Sequence, residues 1–189
     1  MKGITGAIMV AAAGAVLVSG CAKPRVAVSD GVPADVMQEQ ANAIAAAGGL
    51  AVVGMGVSRT VHHALEKAKL RGRGQLQHAL ESKIDTMRLA FIEEIGEGED
   101  SEYNAMFTTA SDSIASQILR STTPSDFKYD TTGGMTSAWA LLVLDPKVIA
   151  DAFAAQADTA RDHYTRFRAS QAFEALEQDI ETFAAFQKQ

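Results

Sequence analysis

The spacing of apolar residues along this chain changes several times, and each change marks an element. The Ala-rich stretch ADVMQEQANAIAAAGG, residues 34–49, predicts a short helix stopped by Gly48 and Gly49. Leu50, Val52 and Gly54 then alternate with Ala51, Val53 and Met55. Both faces are apolar or glycine, which suits a buried strand. Ser58 or Thr60 is placed to cap the helix that follows. Its stripe runs Val61, Leu65, Ala68, Gly72, Leu76, Leu80, Ile84, Met87, Phe91, Ile95, in steps of three or four. The mean step, about 3.8, exceeds the roughly 3.6 residues of a helical turn, so the stripe drifts by roughly 160° along a straight helix. Such a helix either wraps from one partner onto another or breaks. Gly72 on the stripe predicts close approach of the helix backbone to a sheet, and Gly74 weakens the same turn.

An acidic loop, EGEDSE, leads into a second helix with Tyr103, Phe107, Ala110, Ile114 and Ile118 on its buried face. The stretch SDFKYDTTGGMTSAWALLVL reads as a hairpin. Phe127 and Tyr129 alternate with Asp126, Lys128 and Asp130, a Thr-Thr-Gly-Gly turn follows, and Trp139, Leu141 and Val143 line one face of the return strand. Asp145-Pro146 starts a helical tail. In it, Ile149, Phe153, Ala157, Ala160, Tyr164 and Phe167 keep one stripe, and Phe173, Leu176, Ile180 and Phe183 form a displaced second one. The first is expected in the core. The second either packs on a neighbour or belongs to a bent helix that folds back on its own domain. The pattern as a whole predicts an α+β fold: a small antiparallel sheet of about three strands packed by two long helices, with a long C-terminal helix.

The N-terminus carries the clearest chemistry. After Lys2, residues 3–18 are uncharged and built from Ala, Ile, Val, Met, Leu, Gly and one Thr, a secretory signal too short and too rich in Ala and Gly for a spanning helix. It ends in Leu17-Val18-Ser19-Gly20-Cys21, which looks like a bacterial lipobox: an aliphatic residue, small residues, then the cysteine whose sulfur takes diacylglycerol. Cys21 is the only cysteine, so a lipidated chain has no disulfide and must be held together by packing. Two or three acyl chains make attachment effectively permanent. Ala22 follows in place of the aspartate that favours inner-membrane retention in enteric-type bacteria, so the expected location is the outer membrane. The expected organisation is a signal peptide at 1–20, a lipidated tether at 21–47, an α+β domain at 48–155 and a helical extension at 156–189.

Other motifs point to little chemistry. Gly54-Met55-Gly56 opens like a dinucleotide fingerprint, but Arg59 stands where the third glycine belongs and the helix is too long for a second parallel strand to follow. His62 and His63 are adjacent on a helix and point about 100° apart, which prevents a shared metal; His78 and His163 have no ligand-spaced companions. No cofactor or metal is expected. The hydroxyl-rich SDSIAS and STTPSD lack the G-x-S-x-G elbow and read as caps and turns. Lys67, Lys69, Arg71 and Arg73 lie off the stripe beside Glu66 and read as a solvated face, with contact to anionic headgroups or glycan as the alternative. A formal charge of −6 excludes a nucleic-acid binder.

The order of parts resembles the lipoprotein-20 family of small bacterial outer-membrane lipoproteins. The residues that carry the likeness are LAVVGMGVS, then ALEKAKLRGRGQLQHAL with Ala64, Ala68, Arg71 and Leu76, then SDSIASQIL, then SAWALLVLDPKVIADAF with Trp139, Leu142, Val143 and Asp145. They span about residues 49–153, and the C-terminal thirty residues depart from the pattern. The resemblance implies helices on an antiparallel sheet and a non-catalytic envelope role, with motility-apparatus assembly among the settings. The expected partners are the membrane, through the acyl chains on Cys21, and a protein or a second copy, through the C-terminal helix. The rival expectation is a small-molecule binder with Gly54, Gly56 and Trp139 around a pocket between sheet and helix.

Overall fold

The computed structural model describes residues 33–96 and 101–188. The described chain runs α1 (Pro33–Ala46), β1 (Leu50–Ser58), α2 (Val61–Ile95), α3 (Ser101–Ser121), β2 (Asp126–Thr132), β3 (Met135–Leu144), α4 (Lys147–Ala154), α5 (Arg161–Arg168) and α6 (Gln171–Phe186). The fold is α+β. Its three strands form one antiparallel sheet in the order β1-β3-β2, so the strand that pairs on both sides is the return strand of the hairpin. Gly133 and Gly134, at φ of 60° and 76°, make the two-residue turn between β2 and β3, where both central positions need a positive φ.

Alternation along the strands divides the sheet into two faces. Ala138, Ala140, Leu142 and Leu144 of β3 join Leu50 and Val52 of β1 in the main core with α2. Trp139, Leu141 and Val143 turn the other way with Ala51 and Val53, and α1 covers them with Met37, Ala41 and Ile44. Residues 34–47 therefore belong to the folded body; Met37 is wholly buried. The boundary expected at 47/48 moves to the start of α1.

The 35-residue α2 does not break. It starts at Thr60, whose hydroxyl accepts from the His63 N–H, and ends at Gly96 with φ of 63°. Its buried residues are Ala64, Ala68, Gly72, Leu76, Leu80, Ile84, Met87 and Phe91. The stripe begins at Ala64; Val61 and Leu65 lie only half-buried. The drift is absorbed by a change of partner: the first half lies on the sheet, and the second half packs with α3 and α6. Where helix meets sheet, the backbones touch. A Cβ on Gly54 would stand 2.5 Å from the Gly72 nitrogen, and one on Gly56 would stand 2.6 Å from the Ala68 nitrogen.

The tail comprises α4, α5 and the long C-terminal helix α6. α4 is held at its start by the Asp145 carboxylate, which accepts from the Lys147 N–H at 2.8 Å, and Ser170 caps α6 by accepting from the Phe173 N–H. Phe167 of α5 sits among the rings of Phe91, Phe107, Phe153 and Phe173 at 4.7–5.4 Å between centroids. Phe173, Leu176 and Phe183 are buried, so the second stripe faces its own domain. The boundary expected at 155/156 falls inside one continuous core.

Gly54→Ala is expected to lower the unfolding free energy by about 3 kcal/mol or more, at the upper end of overpacking costs, because backbone rather than a pliable side chain meets the new methyl. Gly74→Ala, where nothing lies within 4 Å, is expected to raise it by about 0.5–1 kcal/mol. Denaturant unfolding of the two variants checks both signs.

Candidate functional site

The glycine seam, whose fingerprint lacks its third glycine at Arg59, is filled by the helix itself. Gly54 and Gly56 face the backbone of Ala64, Ala68 and Gly72, with no space for a ligand between them. Trp139 lies on the opposite face of the sheet, with Met37, Ala41 and Leu141. The structure thus separates the three residues of the small-molecule reading, and the expected pocket between sheet and helix is closed.

Each histidine lies against local neighbours. His63 Nδ1 is 2.9 Å from the Thr60 hydroxyl at the start of α2. His78 meets Glu81 one turn on, at 3.2 Å. His163 joins α5 to α3 through Glu102 at 3.0 Å and the edge of the Tyr103 ring at 4.6 Å. Among the described residues, no three His, Cys, Asp or Glu side chains are grouped to hold a metal. Ser125 and Lys128 stand at S-x-x-K spacing, but on the lead-in to a strand, and the Ser125 hydroxyl donates to the Leu141 carbonyl at 3.2 Å.

The basic cluster has structural work to do that its pattern did not disclose. β1 is an edge strand, and its carbonyls at 55 and 57 point away from β3. Arg71 donates to the Met55 carbonyl and Lys67 to the Val57 carbonyl, both at 3.1 Å. One helical turn separates the two cations, which matches the two-residue repeat of outward carbonyls along the strand. They cover part of an edge that would otherwise template another strand. Arg73 reaches the other way and donates twice to the Thr122 carbonyl, at 3.2 and 2.9 Å, tying α2 to the segment between α3 and β2. Lys69 pairs with Glu66 at 2.7 Å, and this hydrogen bond holds the Glu66 carboxyl below its ordinary range. The sequence signal was available: two long cations at i and i+4, beside a helix face of Ala and Gly.

An open cleft of about 490 Å³ runs between α2 and α3, lined by Glu81, Asp85, Arg88, Asn104 and Asp112. Arg88 crosses it to donate to the Asn104 side-chain oxygen at 3.1 Å. The opposite edge of the sheet, β2, differs from the β1 edge. Phe127 and Tyr129 are 57% and 53% exposed there.

Leu17, Val18, Ser19, Gly20 and Cys21, with the tether up to residue 32, lie outside the described residues. No helix among the described residues is long and apolar enough to cross a membrane. The chain matches no family model, no curated protein and no solved structure.

Lys67→Ala with Arg71→Ala is expected to lower stability by about 1–2 kcal/mol in total, taking for each of the two exposed contacts the lower part of the net value of a hydrogen bond. Uncovering the β1 edge should also raise light scattering at high protein concentration. Scattering equal to the unsubstituted chain would mean that the edge is guarded by something else.

Proposed function

We propose that this protein is a membrane-anchored envelope lipoprotein with a non-catalytic structural or protein-interaction role. The observation that carries the reading is the run Leu17-Val18-Ser19-Gly20-Cys21 closing an uncharged segment with a single lysine before it. Diacylglycerol on the Cys21 sulfur and acylation of its freed amine would tie the domain to the outer membrane, the placement suggested by Ala22. From Cys21 to Pro33 the peptide can span at most about 40 Å, so the folded body stays close to the headgroups.

The arrangement of side chains supports an interaction role. The glycine seam is occupied by helix–sheet packing, Lys67 and Arg71 by the strand edge, and His163 by Glu102 of α3. Partner contact through the C-terminal helix would use its polar outer face, because its apolar stripe is occupied by the domain. The setting we infer is envelope assembly, including that of motility structures, on the motif resemblance of residues 49–153 alone.

The test is the mass of the mature protein from membranes. A chain that begins at residue 21 and carries diacylglycerol is expected, and Cys21→Ser should abolish both the lipid mass and flotation with vesicles in high salt. A mature N-terminus elsewhere without lipid would refute the anchor.

A further inference from the structure

The second edge of the sheet is built differently from the first. A two-residue turn makes Thr132 and Met135 a hydrogen-bonded pair, so Asp126, Lys128, Asp130 and Thr132 turn their backbone groups to β3. Phe127, Tyr129 and Thr131 turn theirs outward. Two observations agree with this parity. The Phe127 N–H, unable to reach β3, is taken by its neighbour Asp126 Oδ1 at 2.7 Å. On the far side of the sheet, the carbonyls free for Arg71 and Lys67 belong to residues 55 and 57, as the same alternation requires. Lys67 and Arg71 are engaged at the β1 edge and do not serve the outward groups of β2. Its apolar side chains are exposed on the α2 side of the sheet, beyond the width that α2 covers.

We propose that β2 is a self-pairing edge: two copies of the chain join their β2 strands antiparallel, about a two-fold axis through Tyr129, into one continuous sheet. The register follows from the charges. With Tyr129 opposite Tyr129, Lys128 of each copy stands opposite Asp130 of the other, Phe127 opposite Thr131, and Asp126 opposite Thr132. All seven residues of the strand are then paired. Centring the axis on Lys128 sets lysine against lysine and Asp126 against Asp130. Centring it on Asp130 sets aspartate against aspartate. Centring it on Phe127 matches Asp126 with Lys128 but leaves Tyr129 and the residues after it without a strand to face. Only the Tyr129 register satisfies both charges and length. It also places outward backbone opposite outward backbone at 127, 129 and 131, with the Phe127 N–H passing from Asp126 to the Thr131 carbonyl of the other copy.

The symmetry fits an anchored protein, and in this respect the inference deepens the reading given above. A two-fold axis between antiparallel strands stands perpendicular to the sheet, so both copies turn the same face to the same side. α1 lies on the Trp139 face and begins at Pro33, where the chain from Cys21 enters. Both tethers therefore leave from one side of the pair.

The experiment is sedimentation velocity of the full chain purified in mild detergent, across a hundredfold range of concentration, with thermal melting to verify folding. The unsubstituted chain should pass from monomer towards dimer as its concentration rises through this range. Lys128→Asp alone and Asp130→Lys alone should each weaken dimerisation at least tenfold, and the double exchange should restore it. Two anchors sharing a micelle would be indifferent to all three changes, so sensitivity to charge is separate from the fate of Cys21. A monomer at every concentration would overturn the proposal, as would equal association of the four proteins, or a double exchange that fails to recover. Recovery absent while Asp130→Lys has no effect would identify the Phe127 register and refute this one.

Discussion

Contact between two backbones, β1 against the first half of α2, governs most of what surrounds it. Gly54 and Gly56 on the strand and Ala64, Ala68 and Gly72 on the helix leave no side chain between them larger than a methyl group. The helix consequently sits low, over β1 and β3. An α-helix with its side chains is about 10 Å wide and strands are about 4.8 Å apart, so a helix centred there covers two strands and leaves the third bare. That is why Lys67 and Arg71 reach the edge carbonyls of β1, and why Phe127 and Tyr129 of β2 remain exposed on the same face. One close approach thus sets the character of both edges of the sheet.

The same helix explains how so few strands support a full core. Its stripe turns gradually away from the sheet, and the residues past Leu80 are collected by α3 and by the tail. The Phe167 cluster sits where α2, α3, α4, α5 and α6 converge, and aromatic rings meeting edge to face, with Phe153 tilted against Phe167, fill that space without a disulfide. Lys83 closes the arrangement from the surface by pairing with Asp179 of α6 at 2.6 Å. The tail therefore packs against the far half of α2, and residues 33–46 pack against the other face of the sheet.

Periodicity disclosed the elements because each is amphipathic in the ordinary way: the α3 face from Tyr103 to Ile118, the Gly-Gly hairpin and the glycine seam were all legible. The fate of the second apolar stripe was not. Phe173, Leu176 and Phe183 would look the same on a helix that meets a partner and on one that folds home, since local spacing carries no information about which surface is opposite. The turns at residues 155–160 were equally hidden, because Ala and Gln there have good helix propensity and the break is imposed by the need to bring Phe167 onto Phe153. The glycine corner was legible only through Arg59, which stands where a third glycine would be needed and leaves close packing as the use of Gly54 and Gly56. Glycine at a strand–helix corner by itself permits close approach of either a nucleotide or a helix.

The difference between the two edges bears on what the anchor would contribute. Pairing seven residues of strand buries less surface than a stable soluble dimer ordinarily requires, and cross-strand pairs contribute roughly 0.2–1 kcal/mol each. In free solution such an edge gives weak association. Confinement to one leaflet by acyl chains on Cys21 would raise the effective concentration of each copy for the other, and the shared direction of the tethers would present the edges in register without a loss of orientation at each encounter. A guarded β1 edge then matters as much as an open β2 edge: with both open, the same confinement would drive sheet-to-sheet polymerisation, and with one closed by Lys67 and Arg71 the growth stops at two.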